Sequence, residues 1–219
     1  MKRLARKALI ALGAVTFGLF SVGLWYVVQG YRQAPAVLRG VYQRPMPLEV
    51  SDLTSFQLHA LLTVQDPNFY SHTGADYSTS GVWTTITEGL VKELYFHPFS
   101  PGFLRLRKVK QTLLAMGFDY RVCKNEQLRI FLNRAYLGHA AGRSVYGFDD
   151  GARCYYGKSF AELSQEEYLG LVATLTSPVT LSPSHPRENA ERVARIDRLI
   201  KGECNRAGKS DILLVGCAR

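Results

Sequence analysis

The chain has 219 residues, of which 47% are apolar and 21% charged, and its formal net charge is +9. This length and composition exclude a disordered or fibrous chain and predict one globular domain with a sizeable core. The basic excess suits an anionic membrane surface or a phosphate-bearing ligand, whereas the lack of an arginine-rich run or base-stacking motif disfavours nucleic acid as a partner.

The first predicted element is a membrane-spanning helix from Ala8 to Val28, which follows a basic tail of residues 1–7. Its 21 residues carry no charge and would extend about 31 Å as a helix, enough to cross a bilayer core. A cleaved signal peptide is the competing interpretation, but its apolar segment would be shorter. The four basic residues of the tail predict that the N-terminus is cytoplasmic and that the rest of the chain is not.

A linker is predicted for residues 29–50. The stretch from Tyr31 to Pro47 contains three prolines and no helical periodicity, which predicts an extended connector leading away from the bilayer. The globular domain is predicted to occupy residues 51–202, followed by a C-terminal tail of residues 203–219.

Inside the domain the apolar pattern is helical at almost every turn, and no run alternates long enough to predict a substantial sheet. Capping boxes open two of the predicted helices. The first predicted helix starts at the capping box of Thr54 and Gln57 and ends near Gln65, and another starts at the capping box of Ser164 and Glu167. The other helical segments are Arg107–Phe118, the apolar stripe Leu128–Tyr136 and Arg187–Lys201.

The four cysteines include no C-x-x-C pair and have no histidine partner at zinc spacing, so no metal site is expected. Cys204 and Cys217 either close a short disulfide loop in an oxidising compartment or remain free. Cys123 and Cys154 are expected to fill space in the core. The run Ile212–Val215 fits a small strand or a packed extension equally well.

The segment 62–76 reads LTVQDPNFYSHTGAD. It resembles the first motif of the peptidoglycan glycosyltransferases, glycosyltransferase family 51, whose pattern is E-D-x-x-F-x-x-H-x-G-x-D. Gln65 stands where the family has the glutamate that acts as general base, and an amide cannot take up a proton near neutral pH. Asp66 and His72 keep the pattern, and both are expected to hold the loop.

The second motif resembles G-G-S-T-I-T-Q-Q-x-x-K-N and spans Val82 to Glu93. Thr84 keeps a hydroxyl and Lys92 keeps the family's phosphate-binding cation. Trp83, however, fills a glycine position, and Glu88 and Gly89 replace the two glutamines.

The third motif, R-K-x-x-E, appears as Arg107, Lys108 and Gln111, so its cations remain and its glutamate is again an amide. Two weaker segments, 124–138 and 177–192, follow in the family's order. The resemblance therefore covers residues 48–200.

The resemblance implies a mainly α, lysozyme-like glycosyltransferase domain on the periplasmic or outer face of a bacterial inner (cytoplasmic) membrane, held by one N-terminal transmembrane helix. Family members polymerise lipid II, so the implied partners are lipid II or a nascent glycan strand, membrane lipid and cell-wall synthesis proteins. By analogy Thr84, Lys92, Arg107 and Lys108 bind the pyrophosphate. No cofactor is required, although Mg²⁺ at the pyrophosphate is an alternative by the same analogy.

Loss of both acids, at Gln65 and Gln111, favours a protein of cell-wall biogenesis that binds lipid II and is catalytically impaired or inactive. The first alternative is an active polymerase with a substitute base, for which Glu88, Asp66 or a water is available. A scaffold for cell-wall enzymes is the second. Glycan cleavage is disfavoured, because it needs a pair of carboxylic acids.

Overall fold

The computed structural model describes residues 2–78, 82, 84–96 and 104–218. The described chain is mainly α, as predicted. Its helices are α1 (Lys2–Tyr42), α2 (Ser55–Gln65), α3 (Ile86–Tyr95), α4 (Leu104–Arg121), α5 (Lys124–Arg134), α6 (Phe148–Tyr156), α7 (Gln165–Thr174) and α8 (Pro186–Ile200), with one hairpin of β1 (Tyr136–Ala140) and β2 (Arg143–Tyr146) between α5 and α6.

Helix α1 contains the predicted membrane span and continues beyond it. The segment Ala5–Tyr42 is long and apolar enough to cross a membrane, and its most apolar window is not buried against the domain. The prediction of an extended connector is wrong for residues 31–42, because the chain stays helical through Pro35 as far as Tyr42. Ala34 and Val41 are buried against the domain, and this packing offsets the roughly 3 kcal/mol that an interior proline costs a helix.

A close crossing joins α1 to α4. A β-carbon added at Gly117 would overlap the carbonyl oxygen of Val27, and one added at Gly30 would overlap that of Leu114. The two glycines therefore let the backbones touch. This crossing fixes α4, which carries the third sequence motif, against the helix that precedes the domain.

The core lies where α2, α3, α5 and α7 meet. Leu61, Leu128 and Tyr168 are completely buried there, and the Tyr168 hydroxyl donates to the carbonyl of Gln57 at 2.9 Å. Both predicted capping boxes, at the starts of α2 and α7, are confirmed. These contacts hold the N-terminal half of α2 against α7.

The predicted helical stripe that ended at Tyr136 is too long, because α5 ends at Arg134. Tyr136 instead starts β1 and pairs with Tyr146 of β2 in an antiparallel register. The C-cap residue that follows α5 is Ala135, whose backbone has a non-helical ψ of 127°. The chain therefore turns out of the helix one residue before the hairpin.

The cysteines behave in three ways. Cys204 and Cys217 form a disulfide, which confirms one of the two predicted alternatives. Cys154 packs partly buried against the core, but the prediction for Cys123 is wrong: it is exposed at the N-cap of α5, where the helix starts at the surface.

The segment Ile212–Val215 is a packed extension. It contains no strand; its Leu214 is completely buried, and a short 3₁₀ turn follows at Val215–Cys217.

Candidate active site

A cleft of about 730 Å³ runs along one face of α3. It contains four of the predicted site residues: Gln65, Thr84, Lys92 and Arg107. Residues three and four apart share a face of a helix, so Ile86, Gly89 and Glu93 of α3 line the cleft in succession. The opposite wall comes from the hairpin and the chain after α7, through Tyr136, Tyr146, Thr176 and Pro178.

The loop after α2 holds the first motif together. Asp66 is completely buried, and its Oδ2 accepts the Ile86 backbone N–H at 2.9 Å and lies 2.9 Å from Nε2 of His72. Nδ1 of His72 accepts the Gly74 N–H at 3.1 Å. Nε2 is therefore the protonated nitrogen, and both side chains serve the loop rather than a substrate.

Gln65 is the last residue of α2 and lies half-buried at the cleft wall. Its side chain makes no hydrogen bond to any described residue, so the amide is available to a ligand in the cleft. Because an amide donates and accepts hydrogen bonds but has no basic form at neutral pH, it can orient a sugar hydroxyl without deprotonating it.

The carboxylate of Glu88, the predicted substitute base, is fully engaged by neighbouring groups. The residue is 3% exposed. Oε2 accepts from Lys108 Nζ at 2.7 Å and from the Thr85 N–H at 3.2 Å, and Oε1 accepts from the Thr112 hydroxyl at 2.5 Å. Glu88 thus caps α3 and pairs with Lys108, and neither oxygen lines the cleft.

Gln111 lies outside the cleft as well. It is 8% exposed, and its Nε2 donates to the backbone carbonyl of Glu88 at 2.7 Å. A glutamate at position 111 would place a carboxylate oxygen, which is an acceptor, against the carbonyl oxygen of Glu88, which is also an acceptor.

In the family pattern the acid belongs to the position of Gln111 and an amide to that of Glu88. The two residue types are therefore exchanged between neighbouring positions on α4 and α3.

Among the described residues, three cations line the cleft: Arg44, Lys92 and Arg107. Arg107 lies over the ring of Phe96 at 5.3 Å, an arrangement that holds a guanidinium in place. Lys108, which the sequence grouped with them, is instead turned to Glu88 and reaches the Thr84 hydroxyl at 3.3 Å. It supports the wall behind Thr84.

Glu93 is a cleft residue that the sequence did not single out. Burial raises the pKa of its carboxyl from 4.5 to about 7, and this outweighs the opposing effect of Arg134 and Arg44. Its spacing on α3, four residues after Gly89, would have placed it on the cleft face. Among the described lining residues it is the only carboxylic acid.

Among the described residues, no group of three or more acidic, histidine or cysteine side chains is placed to hold a metal ion. Mg²⁺ is usually held by one or two carboxylates together with substrate phosphates, so Mg²⁺ at the pyrophosphate stays a prediction. Trp83, which fills a glycine position of the second motif, lies outside the described residues.

Comparison with known proteins agrees with the motifs. The profile of the transglycosylase family matches residues 35–202. The chain is 30% identical over 166 residues to penicillin-binding protein 1A of Pseudomonas aeruginosa, covering 68% of the chain and 19% of that protein.

Two further relatives show how much of each protein is shared. Identity to penicillin-binding protein 1F of Bacillus subtilis is 29% over 161 residues, which are 67% of the chain and 22% of that protein. The biosynthetic peptidoglycan transglycosylase of Brucella suis is 28% identical over 186 residues, 79% of the chain and 78% of that protein. The chain thus spans about a fifth of the penicillin-binding proteins and most of the Brucella protein.

Proposed function

This chain belongs to the transglycosylase family of peptidoglycan biosynthesis, whose domain is lysozyme-like, and from that membership we propose that its cleft binds lipid II without the family's polymerising chemistry. One observation carries the proposal. Gln65, an amide at the position of the family's general base, lines the same cleft as the cations Lys92 and Arg107.

The retained cations account for binding. A lipid-linked sugar carries a pyrophosphate, which Arg107 can hold with two parallel hydrogen bonds and Lys92 with a point charge. Thr84 also lines the cleft and adds a hydroxyl. Such charge-assisted hydrogen bonds contribute more than neutral ones, so the loss of one acid does not remove the affinity for the anion.

The missing base accounts for the impaired chemistry. Transfer requires the acceptor hydroxyl to lose its proton as it attacks the anomeric carbon, and a positioned base accelerates such a step by roughly 10²- to 10⁴-fold. Asp66 is buried in the loop and Glu88 is engaged with Lys108, which argues against both as substitutes.

The apolar helix α1 supports a location for this binding. We infer that α1 crosses the bacterial cytoplasmic membrane once, with the basic residues 1–7 inside and the domain on the outer or periplasmic face. Lipid II is held in the outer leaflet by its own lipid, so the anchor would place the cleft next to its ligand.

Binding is tested with the full chain in detergent micelles and fluorescent lipid II. We expect saturable binding that weakens about tenfold or more in Lys92→Ala or Arg107→Ala, because each removes a charge-assisted contact. Lys201→Ala is the matched control, since Lys201 is exposed, pairs with Asp197 of α8 and does not line the cleft. Absence of saturable binding would refute the proposal and leave the scaffold hypothesis.

Chemistry is tested separately by lipid II polymerisation on gels. The wild-type chain should make no glycan strands, and Gln65→Glu should produce measurable strands because it restores a carboxylate at the position of the family's general base. Strands made by the wild type and lost in Lys92→Ala would show an active polymerase and contradict the pseudoenzyme interpretation.

A further inference from the structure

We propose that the segment 203–217, here named the clamp, fastens both ends of the loop 66–76, and that Arg206 of the clamp is a positioning residue for Gln65. The ligand-binding part of this inference rests on the proposed function. Its structural part does not, because it concerns how the loop is held whether or not a ligand is present.

The first attachment is at the C-terminal end of α2. The last carbonyls of a helix have no partner inside the helix and need one from elsewhere. Nη2 of Arg206 donates to the carbonyl of Thr63 at 3.0 Å and to that of Val64 at 2.6 Å. A cation at this end is also favoured by the helix dipole. Arg206 therefore caps the turn that ends in Gln65.

The second attachment is at the far end of the loop. Nζ of Lys209 donates to the carbonyl of Asp76 at 3.3 Å. Only two residues separate Arg206 from Lys209, so one short stretch of chain spans the whole loop from Val64 to Asp76. The loop's own bonds around Asp66 and His72 fix its shape, and the clamp fixes where that shape sits relative to α2.

The clamp is itself rigidly built. The Cys204–Cys217 disulfide closes it, and Asp211 accepts backbone N–H groups from Ala207, Val215 and Gly216 at 3.0, 2.6 and 3.0 Å.

The clamp is also attached to α8. Arg192 donates to the carbonyl of Ile212 at 2.8 Å, and Arg198 donates to the carbonyl of Cys217. Arg206 is thus presented from a cross-linked platform.

This arrangement makes the position of Gln65 depend on the disulfide. If the disulfide is reduced, the chain between Cys204 and Cys217 gains conformational freedom and Arg206 is no longer held at the end of α2. The clamp therefore keeps the cleft in its binding geometry only in an oxidising compartment, where structural disulfides persist.

The structural test is amide hydrogen exchange by mass spectrometry on the full chain in micelles, without ligand. In Arg206→Gln we expect the amides of residues 64–76 to exchange about tenfold faster, since two charge-assisted hydrogen bonds are lost. Arg206→Lys should restore part of the protection because it keeps the charge and a donor. Arg195→Gln is the matched control: Arg195 holds the carbonyl of Leu213 in the clamp at 3.2 Å but does not contact the loop.

If Arg206→Gln fails to fold, two further experiments test whether the clamp holds the loop. Lys209→Gln removes the second attachment from a partly exposed position, and mild reduction opens the disulfide in folded wild-type protein. Both should speed exchange in residues 66–76. Unchanged exchange in the loop in these experiments, or equal acceleration in Arg195→Gln, would overturn the inference.

The positioning role is read out at Gln65 itself. With ¹⁵N-glutamine labelling, the side-chain amide resonance of Gln65, assigned by its loss in Gln65→Glu, should shift in Arg206→Gln and return toward the wild-type position in Arg206→Lys. Lipid II affinity should fall in the same order.

If Arg206→Gln changes hydrogen exchange and the Gln65 resonance but the wild type does not bind lipid II, the proposed function is refuted and the inference about the clamp stands. Wild-type binding with an unmoved Gln65 resonance in Arg206→Gln would refute the clamp alone.

Discussion

The exchange of residue types between positions 88 and 111 leads to a sharp prediction about stability. Gln111→Glu alone would place a carboxylate oxygen where an amide N–H now donates to the Glu88 carbonyl at 2.7 Å, at a site only 8% exposed. It leaves two acceptors facing each other and adds a negative charge beside Glu88. An unpaired buried polar group costs about 1–3 kcal/mol and a charged one more, so we expect a loss of about 3 kcal/mol in the free energy of unfolding.

Glu88→Gln alone should cost less, about 1–2 kcal/mol, because the amide oxygen still accepts while Lys108 loses its counter-ion. The double variant moves the carboxylate to α4, three residues from Lys108 on the same helical face. The double variant should therefore lose about 1–2 kcal/mol less free energy of unfolding than the two single losses added together, a difference in the range expected for contacting residues.

The measurement is a double-mutant cycle by urea unfolding in detergent, followed by circular dichroism. Gln111→Met controls for loss of the amide donor without added charge. If the two single effects add up to the effect of the double variant within about 0.5 kcal/mol, positions 88 and 111 are independent. That result would refute the predicted coupling between them.

The remaining predictions concern pH and helix packing. Because burial raises the pKa of Glu93 to about 7 from 4.5, the folded chain holds a proton that the unfolded chain has released between those values. The free energy of unfolding should therefore fall as pH rises from 4.5 to 7 and level off above it. Glu93→Gln should flatten that profile in pH-dependent urea titrations; an unchanged slope would contradict it. Gly117→Ala should lower the thermal midpoint by several degrees through the clash with Val27, whereas Gly40→Ala, with open space around it, should be neutral or stabilising; equal midpoints would show that the crossing is not tight.

Much of the fold could be read from local pattern. Helix starts such as Thr54 and Ser164 carry their own capping chemistry within four residues, so they were predictable without any tertiary contact. The connector was not, because the helical state of residues 31–42 depends on burial of Ala34 and Val41 against parts of the chain that lie far away in sequence.

The candidate site divides in the same way. Gln65, Lys92 and Arg107 were identified from their motifs and share one cleft. The motifs could not show that Gln111 is turned to a backbone carbonyl or that Glu88 is closed off by Lys108 and Thr112. Hydrogen-bond partners that are 20 or more residues apart leave no local signal.

By itself the sequence determined the family, most of the helices and the replacement of an acid by an amide at Gln65, because each of these depends on residue type and spacing. Only the tertiary structure decided which polar groups face the cleft and which are used up in holding it. That choice depends on three-dimensional neighbours: Glu93 became a cleft acid, Glu88 a structural ion pair, and Arg206 the cap of a helix more than a hundred residues earlier in the chain.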